Sequence, residues 1–314
     1  MKNKIFESAK EKEINFFDEA ASLRDSKDKI ISQEVDIRRA TKYIPNNGEK
    51  FHVIDPYMEN IKSGKARDRY IDLVAHKPGG RVLDLGCGSG WLSLELARKG
   101  QIVDAYDISS KSISLAKKTL KANPYKEGFG KINYYNKDFS NIDFGENKYD
   151  AISGWAAFYY MPDVNVFLAK VDRALKPGGI IATMDDMEKS PAAAWLEYFF
   201  LFILPIHTLT YKQKVIKIFK VVIGKDNLRK KIIVPMVISK KDAKENIEKV
   251  FYEKYKILYH IRENGFCGLP CMRLIGPDFI RYSLARMLKF IDYLACKIGL
   301  VKGFERVIVA RKTK

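Results

Sequence analysis

Cysteine and histidine are scarce in this chain, with four of each among 314 residues. At irregular spacings in a chain of this length, four cysteines do not make a disulfide framework. Cys267-Gly-Leu-Pro-Cys271 is a close pair, and His260 lies nearby. A zinc site needs about four ligands, and no second Cys/His pair supplies them, so no metal is expected. His52, His76, His207 and His260 are scattered. Long apolar runs are also missing. The stretch Trp195–Leu204 ends at Pro205, well short of the roughly twenty apolar residues a bilayer span needs. The N-terminus, Met1-Lys-Asn-Lys-Ile-Phe-Glu-Ser8, is charged and has no signal-peptide core. These absences predict a cytoplasmic protein. There is no P-loop, serine nucleophile elbow or zinc-protease helix either.

Acidic residues run short in one region only. The net charge is +18. Residues 1–210 carry 31 basic and 29 acidic side chains, whereas residues 211–314 carry 25 and 9. A basic block of this kind attracts nucleic acid, a membrane surface or an acidic substrate, or it is simply a solvated lysine-rich face. Hydrophobic residues at 46% and charged residues at 30% belong to a globular chain that can bury a core.

What is present is organised around Arg81-Val-Leu-Asp-Leu-Gly-Cys-Gly-Ser-Gly90. Arg81 to Leu85 reads as a strand, Gly86 to Gly90 as a glycine turn, and Trp91 to Lys99 as an amphipathic helix. The glycines let backbone approach a ligand, and the helix start presents free N–H groups to it. A second strand, Gln101 to Tyr106, ends on Asp107, about twenty residues past the loop, where a ribose-binding carboxylate belongs. That spacing fits NAD, FAD or S-adenosylmethionine. Asp84-x-Gly86-x-Gly88-x-Gly90 lacks the usual dinucleotide pattern and places an acid before the first glycine, which suits a cofactor with a cationic amino-acid end. Strand and helix then alternate. Asp107-Ile-Ser-Ser110 caps a helix to about Lys121, Lys131–Asn136 is a third strand, and Tyr149–Gly154 is a fourth. A helix runs from Val164 to Leu175, and Lys176-Pro-Gly-Gly179 turns into a fifth strand, Ile180–Met184.

From Arg81 to Asp185, and weakly again at the C-terminus, these residues resemble the class I S-adenosylmethionine-dependent methyltransferase family. The likeness is to its small-molecule members, similar to those of menaquinone and ubiquinone biosynthesis. The resemblance implies a Rossmann-like α/β fold, with a seven-stranded, mostly parallel sheet and helices on both faces. It also implies S-adenosylmethionine as cofactor. Asp107 would bind the ribose hydroxyls. Asp84 and the backbone of Gly86, Cys87, Gly88 and Gly90 would hold the amino-acid end. Asp138, Phe139 and Ile108 would enclose the adenine, and Gly154 and Trp155 would flank the methyl. Many members carry histidine where Tyr160 stands here, so the acid–base group is left open among Tyr159, Tyr160, Asp185, Asp186 and His207. A helix like the one expected over Asp55–Ala75 closes the site in the family, which makes Tyr43, Arg67 and Tyr70 candidate contacts.

Four regions are expected: an N-terminal helical segment over 1–76, the cofactor-binding core over 77–189, a helical insertion over 190–238, and the end of the sheet over 239–314. The last region carries its own helical insertion at 265–302. The insertions would pack together as a cap, covering a hydrophobic or lipid-like acceptor or touching a membrane periphery. The implied function is methyl transfer to a small molecule. An RNA methyltransferase and a non-catalytic S-adenosylmethionine-binding regulator are the alternatives; no RNA-binding module is recognisable, which makes a nucleic-acid partner the weaker reading.

Overall fold

The computed structural model describes residues 2–25, 56–161, 163–206, 215–216 and 240–313. In chain order the helices are α1 (Lys2–Asp25), α2 (Pro56–Val74), α3 (Trp91–Arg98), α4 (Ser110–Ala122), α5 (Val164–Ala174), α6 (Pro191–Ile203), α7 (Lys240–Lys254), α8 (Gly268–Arg273) and α9 (Asp278–Lys297). The strands are β1 (Arg81–Leu85), β2 (Ile102–Asp107), β3 (Lys131–Asn136), β4 (Tyr149–Trp155), β5 (Leu175–Asp186), β6 (Tyr255–Glu263) and β7 (Glu305–Lys312). They form one sheet in the order β3-β2-β1-β4-β5-β7-β6. The first five strands run parallel to one another, and β7 is antiparallel to both β5 and β6. The chain crosses back to β1 and then builds outward through β4, so β1 and β4 flank the switch point at which ligands bind in open α/β sheets.

Sheet and helices alternate because the apolar pattern does. The central strands β1 and β4 are buried almost along their whole length, as parallel strands covered on both faces must be. One face carries Leu83, Ile152, Phe158 and Phe251, and the other carries Val82, Leu96, Tyr70 and Val309. Side-chain caps start the helices as expected: Ser109 accepts from the Ser112 N–H at 3.0 Å, and Asp163 accepts from the Val166 N–H at 3.0 Å.

Two expectations need revision. Lys176-Pro-Gly-Gly179 is not a turn before the strand. It is an irregularity inside β5, whose pairing with β4 jumps from Tyr149↔Leu175 to Ala151↔Ile180. Gly178, with φ +75°, takes up the excess chain. The helix α2 packs on the sheet instead of closing the site. Tyr70 is fully buried, with its hydroxyl 3.1 Å from both Ser153 Oγ and the Ala182 carbonyl, and Arg67 bonds Asn60 at 2.6 Å on the same helix. Tyr43 lies outside the described residues.

The end of the sheet is pinned by charge. Arg306 on β7 is fully buried and donates to Asp185 on β5 at 2.6 Å, to Glu248 on α7 at 2.8 Å and to the Lys244 carbonyl at 2.9 Å. Beside it Glu305 accepts from Lys62 and Ser63 of α2, at 2.8 and 2.7 Å, and from Asn264 at 2.8 Å. Helices α6, α8 and α9 share a third cluster with α2, built on Met58, Ala193, Phe266, Cys271, Ala285 and Leu288.

Candidate functional site

A cavity of about 410 Å³ opens at the carboxyl ends of β1, β2 and β4. Its floor is the glycine loop. Gly86 and Cys87 donate to the Tyr106 carbonyl at 2.8 and 3.0 Å, which folds the loop over the end of β2. Gly86 adopts φ +72°, and a Cβ there would stand 2.6 Å from that of Ala157. Only glycine fits that crossing. At Gly88 a Cβ would meet open space. Asp107, mostly buried at the tip of β2, is held through both oxygens: the Gly88 N–H donates to Oδ2 and the Ser109 N–H to Oδ1, each at 2.8 Å. Burial raises its carboxyl above the ordinary range, opposed by those N–H bonds. Asn136 at the end of β3 donates to the carbonyls of Asp107 and Ile108, at 3.1 and 2.9 Å, and so fixes the turn after the carboxylate.

The second wall is the 3₁₀ turn Phe139–Asn141, capped by Asp138. Asp138 accepts from the Ser140 N–H at 3.0 Å and from Asn141 at 3.1 Å. The third wall follows β4: Trp155, Ala156, Tyr159, Tyr160 and Met161. Trp155 stands edge-on to Tyr70 and Trp91, with centroids 5.2 and 5.1 Å away. Ala156 holds φ +55°, a costly conformation for a residue with a Cβ and one that gathers at functional sites. Tyr159 and Tyr160 stack at 4.7 Å, and Lys244 sits 4.5 Å over the Tyr159 ring. Burial raises both phenols, Tyr160 to about 12. Asp186 closes this end, its carboxyl also raised by burial.

The fourth wall is α1. Lys10, Glu13, Phe16, Phe17, Ala20 and Ala21 face the cavity. The helix is tied down at both ends of the pocket. Lys10 pairs with Asp138, and Asp18 accepts from Ser109 Oγ at 2.5 Å, at the start of α4. Phe17 also packs edge-on against Tyr160 at 5.8 Å. The repeated aromatics of Ile14-Asn-Phe-Phe17 among charges are the sequence signal for a helix with one apolar face, but nothing local says which surface that face covers.

Of the residues expected at the site, Gly86, Gly88, Asp107, Ile108, Asp138, Phe139, Trp155, Tyr159, Tyr160 and Asp186 line this one cavity. Others stand behind it. Gly90 is the left-handed residue before α3, with φ +83°, and it lies close to Tyr134. Gly154 lies under Phe158, where a Cβ would come within 2.2 Å of the ring. Cys87 is buried in the core face, and burial pushes its thiol up. Asp185 is corrected as a base candidate, because its carboxylate is fully buried against Arg306 and accepts from Thr183 at 3.1 Å. His207 lies outside the described residues. Of the expected cap, α6, α8 and α9 contribute no residue to the cavity; residues 207–214 and 217–238 of the 190–238 insertion lie outside the described residues. Among the described residues, no group of three or more His, Cys, Asp or Glu is placed to hold a metal ion.

Asp84 is also displaced from its expected contact. Its carboxylate is buried beneath the loop and accepts from Ser93 Oγ at 2.5 Å. Burial lifts its pKa from 3.8 to about 7. A carboxyl that ionises later in the folded chain stabilises the fold most below its unfolded value, and that contribution is lost as pH rises through about 7. Asp84→Asn is therefore expected to lose less stability than the wild type between about pH 5 and about pH 8. Urea titrations at the two pH values check this; parallel losses in both proteins would contradict it.

The family model described as a methyltransferase domain matches residues 82–179. Demethylmenaquinone methyltransferase of Desulfitobacterium hafniense is 32% identical over 124 residues, 38% of this chain and 47% of that one. Ubiquinone biosynthesis O-methyltransferase of Coxiella burnetii is 30% identical over 128 residues, 41% of this chain and 49% of that one. The matched stretch thus spans about half the length of these curated relatives. Among solved structures, an S-adenosylmethionine-dependent methyltransferase from Methanosarcina mazei aligns with a TM-score of 0.45 at 18% identity, covering 79% of this chain and 97% of that one.

Proposed function

We propose that this chain, whose residues 82–179 are a methyltransferase domain, transfers a methyl group from S-adenosylmethionine to a small hydrophobic acceptor. The observation that carries the reading is the fixed carboxylate of Asp107. Both its oxygens are anchored by backbone N–H groups, and it lines a cavity whose other walls are aromatic and acidic. A carboxylate so held suits a vicinal diol. Phe139 and Ile108 offer apolar surface for an adenine, and Asp138 offers an acceptor for its amine. The volume falls within the usual range for a small-molecule site, about 300–1,000 Å³. Glu13, Asp107, Asp138 and Asp186 make the lining acidic, which suits a positively charged sulfur.

When bound, S-adenosylmethionine supplies a methyl group already activated by its sulfonium. The protein's task is then to place the acceptor in line and exclude water, since positioning supplies much of the rate. Trp155, Phe17, Tyr159 and Tyr160 provide the dry wall. Asp186 is the carboxylate at that end and takes up the acceptor's proton; its raised pKa brings it nearer to neutrality, as a general base requires. The two phenols stay protonated and orient. Asp84 acts from behind by shaping the loop, and the loop backbone meets the amino-acid end. The names of the quinone-pathway relatives favour an apolar acceptor of small size.

The test is transfer of tritium from methyl-labelled S-adenosylmethionine into separate apolar small-molecule, polar and RNA extracts. Label in the apolar fraction is the expected result, and it should disappear in Asp186→Asn. Label confined to RNA, or none at all, would overturn the proposal.

A further inference from the structure

We propose that the exposed apolar stripe of α9 docks on an anionic lipid bilayer, with the helix lying in the plane of the headgroups. The helix has two apolar faces with different jobs. Ala285, Leu288 and Ala295 point inward with Arg281 and Asp292. On the other side Ile280, Met287, Phe290, Ile291, Leu294 and Ile298 recur at helical spacing and are exposed, Phe290 by 61% and Ile298 by 74%. Single exposed apolar residues are ordinary, but a continuous stripe about 30 Å long is not.

Charge selects the occupant. The helix carries two acids, and neither faces out with the stripe as an unpaired charge. Asp292 is buried and accepts from the Phe266 N–H at 2.7 Å. Asp278 pairs with Arg281 at 3.0 Å. Arg286 and Lys297 flank the stripe and Lys302 follows it, all exposed, within a region of 25 basic and 9 acidic residues. An apolar strip bordered by cations is the pattern of an interfacial helix on anionic lipid. A second copy of this chain fits less well, because pairing stripe to stripe brings the same cations together. Helix α6, which shares the cluster that holds α9, adds exposed Trp195, at 65%, with Tyr198 and Phe199. Tryptophan and tyrosine favour the headgroup layer. Among the described residues, no helix is long and apolar enough to cross a membrane, so the contact is peripheral. It does not depend on the methyl-transfer reading.

Vesicle flotation of the full chain tests the proposal. Binding to phosphatidylcholine mixed with phosphatidylglycerol should be at least about ten-fold tighter than to phosphatidylcholine alone, and should weaken with salt. The triple change Met287→Gln, Ile291→Gln, Leu294→Gln should lower affinity for the mixed vesicles at least about ten-fold, with far-UV circular dichroism unchanged. If that variant does not fold, Arg286→Gln with Lys297→Gln should abolish the preference for anionic vesicles. No flotation, equal binding to both compositions, or a dimer in sedimentation that the triple change dissociates would each overturn the proposal.

Discussion

Asp107→Ala is expected to weaken S-adenosylhomocysteine binding by about 100-fold or more. Hydrogen bonds to a charged partner contribute roughly 1.5–3 kcal/mol each, and a vicinal diol makes two. Their loss comes to about 3 kcal/mol or more, and each 1.4 kcal/mol is about tenfold in affinity. The substitution also frees the Gly88 N–H, which now donates to Asp107 at 2.8 Å, so the loop beneath the ligand loosens. Asp107→Asn keeps one acceptor oxygen and should fall in between. Calorimetric titration of the wild type and both variants measures this directly, and an unchanged affinity in Asp107→Ala would remove the residue from the site. The sign of the pH effect follows from burial. The carboxyl is raised above its ordinary range, and the ligand needs it ionised. Affinity should therefore decline on acidification at a higher pH than an exposed aspartate would show.

Arg306→Met should cost about 3–5 kcal/mol of folding stability, the usual penalty for removing one partner of a buried ion pair. The guanidinium is fully buried, and it neutralises Asp185 at 2.6 Å while bonding Glu248 at 2.8 Å. Methionine nearly fills the space but leaves the buried Asp185 carboxylate without its ion-pair partner, accepting from the Thr183 hydroxyl at 3.1 Å. The double change Arg306→Met with Asp185→Asn should recover about half of the loss or more, because it also removes the stranded charge. Urea unfolding of the three proteins separates this from a packing defect: if the double variant is no more stable than the single one, lost packing and not the stranded charge is the cause. The pair also bears on the site. It locks β7 to β5 immediately before Asp186, so the single variant should lose methyl transfer along with stability.

Much of the cavity's lining at the strand ends is legible in the sequence. The glycine loop, Asp107 and the Asp138–Phe139 pair lie at strand ends, and an open parallel sheet places all strand ends of one sense on one edge. A pattern that reads strands correctly therefore reads that edge correctly. The failures have a common cause in burial. Asp84 and Asp185 look alike as acids beside a site, yet one sits beneath the loop against Ser93 and the other pairs with a residue 121 positions away. Which N-terminal helix covers the cavity is hidden in the sequence for a related reason. A helix with an apolar face announces that it packs, but α1 and α2 both have such faces, and only the folded chain sends one to the cavity and the other to the sheet.

The amino-acid order alone determined the alternation of strand, glycine turn and helix, and with it the crevice at the carboxyl ends of β1, β2 and β4, because period and turn chemistry are local properties. Tertiary structure decided which carboxylates line the cavity and which meet an arginine. It also decided that α1 covers the cavity, and that α9 packs through Ala285, Leu288 and Ala295 while turning Met287, Phe290, Ile291 and Leu294 outward. Those outcomes rest on contacts between distant segments, where burial and charge pairing are settled only once the layers have closed.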